Sequence, residues 1–423
     1  MTLTLRQAKG AAIAAFLLGG LMAGCTGGGS TPSAPTTTPA PTTGSTPSPT
    51  TTASGGTPII VGLVASENGD LAPWGKDEIN GAQLALDDFN AAGGIPGHTV
   101  QMEIQDSGSK PEQGKSAAEK LIADGALALV GEVSSGITAQ IVTAAQDKQI
   151  PVIAVGATRT DLTQGHSNVF RVCYTDAFQG PVMAVFAYNE LGLRKVGIVT
   201  DEKQPYSKGL SASFRAAFIK LGGQIVDEQF YESGQTQFGG QVTALKSKAP
   251  DGLFMSGYFT EVGQIARQAH DAGLVVPMFG GDGWDSQQIL QYGGDAIVGS
   301  YFCNHYNNKE TRKEVQDFLA KWKAKYPDEP EPGTTMGALG YDAMLLTLDA
   351  LKKDPTLDSK GLTAAIEDTV NFPGVSGNIT LKGMHGNPTK RAIVVKLTKD
   401  GQIFAKAYEV ADVQKALAAA AKK

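Results

Sequence analysis

Two adjacent serines stand on a turn between a predicted strand and a predicted helix, in the stretch VGEVSSGITAQ, Val130–Gln140. A serine there can be an activated nucleophile, or its hydroxyl can bind an anion together with the free N–H groups of the helix N-terminus. Gly131 lies three residues before Ser134, so the turn lacks the G-x-S-x-G pattern of a nucleophile elbow. The pattern favours anion binding, and a simple helix cap is the alternative for either serine.

The histidines also argue against catalysis. They form no H-x-x-x-H pair, and the chain contains no phosphate-binding G-x-x-x-x-G-K-[ST] sequence; the histidines are His98, His166, His270, His305 and His385. Ser135, Asp282 and His305 follow one another in the order of a hydrolase triad, but order alone carries little weight. We therefore predict that the protein is not an enzyme and has no catalytic residue, metal site or cofactor.

Further polar and aromatic residues follow predicted strands. The run IPVIAVGAT ends in Gly156, Ala157 and Thr158, and the Thr158 hydroxyl could extend an anion site. Asp282, within GGDGWDS, could pair with an ammonium group, and an Asx-turn is the alternative. Four aromatic side chains near strand ends could attract a cation by cation–π interaction or pack in a core: Trp74, Tyr206, Tyr258 and Trp284.

Strand and helix patterns alternate from Pro58 onward in two series, which predicts an α/β fold with parallel sheets covered by helices on both faces. The C-terminal region is expected to form hairpin strands. Because ligands of open α/β sheets bind beyond the carboxyl ends of the strands, the residues above are candidates for one site. Helices are predicted over Lys76–Ala92, Pro111–Asp124, Ile137–Lys148, Phe178–Leu191, Gly209–Leu221, Phe238–Lys248, Glu261–Ala272, Thr311–Lys325, Thr335–Lys352 and Leu362–Asp368.

The N-terminal residues indicate that the protein is exported, and we do not expect them to form part of the folded domain. Arg6 and Lys9 precede an apolar run, Ala11–Leu21, that is too short to span a bilayer. The run ends in LMAGC, which resembles a bacterial lipobox and predicts a signal peptide over 1–24 and a lipid anchor on Cys25; a core cysteine of a transmembrane anchor is the alternative. Residues 26–57 contain only Gly, Ser, Thr, Pro and Ala and predict a disordered linker.

Chain length and net charge limit the number of domains and the kinds of partner that we expect. A chain of 423 residues is long enough for two domains. A net charge of −6, with the basic residues scattered, argues against a nucleic-acid partner.

The stretches that carry these residues resemble the leucine/isoleucine/valine-binding proteins, which are type I periplasmic binding proteins of ABC importers. The resemblance extends from Pro58 to about Gly386. It rests on VGLVASENGDLAPWGKDEINGAQLALDDFNAAGGI, VGEVSSGITAQ, IPVIAVGATRTDLT, GYFTEVGQIARQAHDAGL and FGGDGWDS. The first of these stretches is the most specific.

The resemblance implies two Rossmann-like lobes joined by a three-segment hinge, with crossings near Val172–Tyr174, Phe302–Asn304 and Val375–Gly377. The N-terminal lobe is then expected to comprise 58–172 and 304–375, and the C-terminal lobe 173–303 and 376–423. The first two crossings would bring Cys173 and Cys303 onto neighbouring strands, so a disulfide is expected there. From the residues alone, two buried free thiols are equally compatible.

The resemblance also assigns roles to single residues. Ser135 and Thr158 are expected to bind a ligand carboxylate, and Ser134 to cap or support the turn. The Gly156 carbonyl, beside Ala157, and the Asp282 carboxylate are expected to bind an ammonium group. Aromatic walls are expected from Trp74, Tyr206 and Tyr258, while Trp284 and Met336 would shape the side-chain pocket.

These observations lead to three functional hypotheses. The first is an exported, monomeric, lipid-anchored receptor that delivers a small amino acid, branched-chain or related, to an ABC permease in the membrane. The second is the same fold with an amide, a γ-amino acid or an aromatic acid as ligand. The third is a ligand-sensing module for a membrane signalling partner, which is less consistent with a lipid as the only anchor.

Overall fold

The computed structural model describes residues 58–420 and contains two open sheets, each flanked by helices. The first sheet is entirely parallel, in the order β2-β1-β3-β4-β5. Its strands are β1 (Ile59–Ala65), β2 (Val100–Asp106), β3 (Ala128–Val130), β4 (Val152–Ala154) and β5 (Val169–Arg171). The buried strands β3 and β4 are short apolar runs, as expected where helices cover both faces of a parallel sheet.

Two sets of helices pack with the first sheet. One set connects its strands: α1 (Ala72–Ala91), α2 (Pro111–Ala123) and α3 (Ser135–Ala145). The other comes from much later in the chain: α9 (Lys313–Lys325), α10 (Met336–Lys353) and α11 (Ser359–Glu367). The helices α1 and α10 approach closely because of glycine, since a Cβ at Gly81 would lie 2.0 Å from the carbonyl oxygen of Gly337.

The second sheet has seven strands in the order β14-β13-β10-β9-β8-β6-β7. Five strands are parallel: β6 (Lys195–Asp201), β7 (Gln224–Tyr231), β8 (Gly252–Met255), β9 (Met278–Gly280) and β10 (Tyr301–Asn304). The antiparallel hairpin of β13 (Ala392–Thr398) and β14 (Gly401–Tyr408) completes the sheet, which confirms the hairpin predicted for the C-terminal region. The helices of this half are α4 (Asp176–Val185), α5 (Pro205–Lys220), α6 (Gly239–Ser247), α7 (Phe259–Asp271), α8 (Gln288–Gly293) and α12 (Val410–Ala420).

The predicted α/β fold with two lobes is confirmed, and the differences concern the ends of some helices and two helices that were not predicted. Helix α1 begins four residues before the predicted start, because Pro73 suits the first helical turn. Helix α3 begins at Ser135, two residues early. Sequence reasoning missed α12, which follows the hairpin, and α8, whose six residues are too few to show a helical period.

The chain passes between the two sheets three times. It leaves the first sheet after Arg171 and the second after Asn304. A small hairpin, β11 (Phe372–Gly374) and β12 (Gly377–Ile379), still belongs with the first sheet, because Asp342 of α10 accepts hydrogen bonds from the backbone N–H groups of Val375 and Ser376. The third crossing predicted near Val375–Gly377 is therefore wrong.

The third passage occurs after Gly386, whose carbonyl accepts a hydrogen bond from Arg171 N–H at the end of β5. The chain then joins the second sheet at Ala392. Between these points Lys390 Nζ donates to the carbonyl of Val172 at 2.7 Å, so the first and third crossings are bonded to each other. The lobe bounds inferred from the sequence otherwise remain predictions.

The expected disulfide is absent, because Cys173 and Cys303 are both buried free thiols. The Cys173 thiol donates to the carbonyl of Ala157 at 3.4 Å. The two cysteines also belong to different apolar clusters, with Cys303 packed in the cluster that includes Tyr174 and Phe254. The two side chains therefore have separate partners although their strands lie at neighbouring crossings.

The signal peptide, Cys25 and the linker predicted over 26–57 lie outside the described residues. Within 58–420, none of the helices has the length and apolar character that a membrane crossing requires.

Replacing Gly81 with Ala should destabilise the protein, because the new methyl group would collide with the backbone of α10 and force the two helices apart. We expect the free energy of unfolding in urea to fall by about 2 kcal/mol. The matched control is Gly240→Ala in α6, where a Cβ would meet no atom within 4 Å. Equal effects of the two substitutions would contradict the close α1–α10 contact.

The cysteines should be unreactive until the protein unfolds. Burial raises the pKa of the Cys173 thiol to about 12 and raises that of Cys303 as well, so neither thiolate forms at pH 8. In protein that begins at Thr26, a thiol reagent should find two thiols after denaturation without reductant and almost none before. Finding none in the denatured, unreduced protein would show that the disulfide forms after all.

Candidate functional site

A small cavity lies between the two lobes, at the carboxyl ends of both sheets. It is narrow, with a volume of about 10 Å³. Side chains and backbone from both lobes line it: Trp74, Val133, Ser135, Gly156, Tyr206, Tyr258, Asp282, Gly283 and Met336. Six of the nine residues predicted for the ligand site are in this set, namely Trp74, Ser135, Gly156, Tyr206, Tyr258 and Asp282. Parallel strands end at the same edge of a sheet, which is why residues so far apart in sequence meet here.

The first-lobe wall is built on the N-terminus of α3. Ser135 is the first residue of this eleven-residue helix, and its Oγ accepts a hydrogen bond from Arg159 N–H at 3.2 Å. The unpaired N–H groups and the dipole of the helix make this wall locally positive without any Lys or Arg side chain in the cavity lining. Gly156 is needed beside it, since a Cβ there would lie 2.8 Å from Met336 Sδ.

The second-lobe wall presents the buried carboxylate of Asp282. Its Oδ1 accepts a hydrogen bond from the Tyr206 hydroxyl at 2.8 Å, and its Oδ2 lies 2.9 Å from His305 Nε2. The backbone N–H of Asp282 donates to Gln179 Oε1 at 2.7 Å. The side chain is therefore held in one orientation beside the cavity while its two oxygens keep lone pairs for a further donor.

A second acid stands behind Asp282. Asp176, the first residue of α4, is fully buried, and burial together with the nearby Asp282 raises the pKa of Asp176 to about 7. Its Oδ1 accepts a hydrogen bond from the Gln179 side chain, while its Oδ2 has no partner in the structure. The second lobe thus concentrates buried carboxyl groups at one end of the cavity.

The residues of the possible triad do not form one. His305 uses Nε2 for Asp282, stacks on the Tyr174 ring at 4.0 Å between centroids, and leaves Nδ1 without a partner. Ser135 Oγ is bonded to a backbone N–H instead. Sequence reasoning considered a pairing of His305 with Asp282 only as part of a triad, which it set aside, and it missed Gln179, because nothing local in the sequence links these positions.

Several contacts close the lobes over the cavity. Trp74 Nε1 donates to the carbonyl of Asp285 at 2.7 Å, and the Trp74 ring meets Tyr258 edge to face at 5.2 Å. The Thr335 backbone N–H donates to the Asp285 carboxylate at 2.6 Å. The structure is therefore in a closed form, with Trp74 acting both as a wall of the cavity and as a bond between lobes.

Trp284 is a correction to the predicted site. Its indole N–H donates to the carbonyl of Met255 at 3.0 Å, and its ring is completely buried against Gly280 and Phe302. The residue lies on a short 3₁₀ turn that directs Asp282 and Gly283 toward the cavity and Trp284 into the core of the second lobe.

Three more predicted residues are placed differently from expectation. The Ala157 carbonyl accepts hydrogen bonds from Arg171 and Cys173, so the residue does not line the cavity. Thr158 is buried outside the cavity lining, and its hydroxyl has no partner. Ser134 stands at the N-cap position of α3 but makes no side-chain cap bond; its hydroxyl lies 3.3 Å from the Tyr258 hydroxyl of the other lobe.

No group of three or more His, Cys, Asp and Glu side chains within 58–420 is arranged to hold a metal ion.

Comparison with known proteins identifies the family of the chain. A family model described as periplasmic binding protein matches residues 58–402. The Leu/Ile/Val-binding protein BraC3 of Rhizobium johnstonii is 30% identical over 359 residues, covering 82% of this chain and 93% of the relative.

Two solved structures are also similar. A leucine binding protein from Thermotoga maritima has a TM-score of 0.79 and 31% identity, with 84% of this chain and 99% of that one covered. A branched-chain amino acid transporter substrate binding protein from Streptococcus pneumoniae, in complex with isoleucine, has a TM-score of 0.77, 30% identity and the same coverage. The chain therefore belongs to the periplasmic binding protein family, in its leucine/isoleucine/valine-binding group, and is a solute-binding protein rather than an enzyme.

Proposed function

We propose that this protein is the extracytoplasmic receptor of an ABC importer and binds an aliphatic α-amino acid as a zwitterion. The observation that carries the proposal is the opposite character of the two cavity walls. One wall is a helix N-terminus with the Ser135 hydroxyl, and the other is the buried Asp282 carboxylate. An amino acid has its carboxylate and ammonium on adjacent atoms, which matches two such walls facing one narrow space.

The carboxylate of the ligand binds the first lobe. The N–H groups of the first turn of α3 and the Ser135 hydroxyl are hydrogen-bond donors for it, and the helix dipole favours negative charge there. Ser135 Oγ accepts from Arg159 N–H, so its own hydrogen is free to donate to the ligand.

The ammonium group binds the second lobe. Asp282 supplies the charge, while the faces of Tyr206 and Tyr258, which stack at 5.4 Å between centroids, supply aromatic walls. Gly156, on the opposite wall, is the position expected to contribute a carbonyl acceptor. A buried carboxylate attracts a cation more strongly than an exposed one because little water screens the pair.

The side chain of the ligand faces apolar groups. Trp74, Val133 and Met336 line the same cavity, so the ligand's side chain would meet apolar surface there. Relatives at 30% identity or above are named for leucine, isoleucine and valine or hold isoleucine, which supports an aliphatic ligand. Closure follows because a ligand that binds both walls favours the closed form over the open one.

Export and membrane attachment complete the proposal. The apolar run Ala11–Leu21 and the lipobox-like LMAGC would place Cys25 at the N-terminus of the mature protein with a diacylglyceryl group, and residues 26–57 would separate the binding domain from the membrane. The closed form would then deliver its ligand to a membrane permease.

Asp282→Ala should abolish amino-acid binding while preserving the fold, because it removes the charge that faces the ammonium. Calorimetric titration with L-leucine should show at least a hundredfold rise in Kd, in line with the loss of a desolvated charge pair. The matched control is Asp295→Ala in the same lobe, an exposed acid paired with Lys399. An unchanged Kd for Asp282→Ala would contradict the site.

A thermal-shift screen tests the ligand class. Branched-chain amino acids should raise the unfolding midpoint, because a ligand that binds only the folded protein stabilises it. Their amides, γ-amino acids and aromatic acids should not. A larger shift from one of those compounds would assign the site to it instead.

Cys25→Ser should release the protein from the membrane, since Cys25 is the proposed attachment point. Cells fed a labelled fatty acid should incorporate label into the wild-type protein but not into the variant. Labelling that persists in Cys25→Ser would exclude this residue as the lipid site.

A further inference from the structure

Two buried carboxyl groups lie behind the first-lobe wall, and the proposed binding step does not use them. Glu132 is in the turn between β3 and α3, and Glu78 is on α1; both are completely buried. Glu78 reaches the same turn, since its Oε1 lies 3.3 Å from where a Cβ on Gly131 would stand, and it is near enough to Glu132 for the charge of Glu132 to raise its pKa. Neither acid forms an ion pair with a described Lys or Arg, so the pair lacks the compensation that buried charges usually have.

Glu132 holds the turn that presents α3 to the cavity. Its Oε2 accepts a hydrogen bond from Ser134 N–H at 2.8 Å. Its Oε1 accepts one from Ser107 at 3.0 Å and a further one from Ser66, so the carboxyl group ties the ends of β1 and β2 to the start of α3. Ser135, the next residue after Ser134, lines the cavity. Glu132 is therefore fixed in the turn that leads to Ser135, three residues before the proposed carboxylate site.

The charge states of the two acids differ. Glu78 has no hydrogen-bond partner on either oxygen, and burial together with the neighbouring Glu132 raises its pKa well above the usual value. Burial also raises the pKa of Glu132, to about 7, although its hydrogen bonds act in the opposite direction. Glu78 thus stays neutral near neutral pH, while Glu132 is poised between its neutral and ionised forms.

A ligand carboxylate at Ser135 would shift the equilibrium between the neutral and ionised forms of Glu132. Two like charges in a buried region repel, so an ionised Glu132 opposes a carboxylate at the start of α3, whereas a neutral Glu132 does not. Besides Glu78, the titratable group that faces Glu132 is Tyr258 of the second lobe, which stays neutral because burial raises its pKa. The hydrogen-bond partners of the Glu132 carboxyl group, namely Ser66, Ser107 and the backbone N–H of Ser134, carry no charge.

We propose that Glu132 is a positioning residue that must be neutral when an anionic ligand group binds at Ser135, so that ligand binding takes up a proton. This inference rests on the proposed function. By linkage, ligand affinity is greatest below pH 7 and falls as the pH rises through 7, because the ligand must then displace the ionised form of Glu132. The protein would bind its ligand more tightly in an acidified exterior.

The test is calorimetric titration with L-leucine at pH 6, 7 and 8, on the wild type and on Glu132→Gln. Glutamine keeps a carbonyl acceptor but cannot ionise. Between pH 6 and 8 we expect the wild-type Kd to rise about tenfold more than that of Glu132→Gln, because the neutral fraction of Glu132 falls by that factor. The matched control, Glu78→Gln, replaces an acid that is already neutral and should keep the wild-type pH dependence. An equal pH dependence in wild type and Glu132→Gln would overturn the inference.

Asp176 requires its own control, because a ligand ammonium near it would favour its ionised form and release a proton. Titration of Asp176→Asn at pH 7.5, in buffers of different ionisation enthalpy, should therefore show net proton uptake on leucine binding. This measurement also decides the matter if circular dichroism shows that Glu132→Gln is unfolded; no uptake would overturn the inference. Absence of leucine binding at every pH would instead contradict the proposed function, and the inference with it.

Discussion

The buried carboxylate of Asp282 is the group around which the second lobe organises its part of the site. A carboxylate can remain charged out of water only if donors surround it, and here Tyr206 and His305 each bond one oxygen while Gln179 holds the backbone. These three partners come from α4, α5 and the segment after β10. The packing of the second lobe therefore fixes one charge at the edge of the cavity, and the arrangement of that lobe is what makes the charge available to a ligand.

The first lobe presents a wall that favours negative charge, and it does so without a positively charged side chain. The start of α3 supplies N–H groups and a helix dipole, and its position depends on the Glu132 carboxyl group that bonds Ser134 N–H. Backbone donors approach a ligand closely only where side chains are small. Gly136, the second residue of α3, leaves the backbone of the first turn uncovered by a side chain. This arrangement leaves a pair of buried acids behind the wall. We infer from their position that ligand binding at the wall depends on the pH outside the cell.

Closure joins these two half-sites. Trp74 reaches the carbonyl of Asp285, and Thr335 N–H reaches its carboxylate, so the bonds between lobes lie next to the cavity rather than at its rim. The crossings are themselves bonded, since Lys390 of the third binds Val172 of the first. The crossings and the bonds next to the cavity together hold the two walls facing each other in this closed form.

The sequence by itself determined the class of fold and most of the cavity. Alternating strand and helix periods predict parallel sheets, and the convergence of strand ends predicts that Ser135 and Asp282 meet, as they do across the cavity. The same reasoning failed where the direction of a side chain within a turn mattered. Trp284 and Asp282 are two residues apart, yet one packs in the core and the other lines the cavity.

Only the tertiary structure decided the partners of the buried polar groups. The bond between Gln179 and Asp282, the pairing of Asp282 with His305, and the approach of Glu78 to Glu132 all join elements that are distant in the chain. Sequence periodicity records whether a residue is buried and what its local backbone does. It does not record which remote element supplies the missing donor, because that is settled when the elements pack.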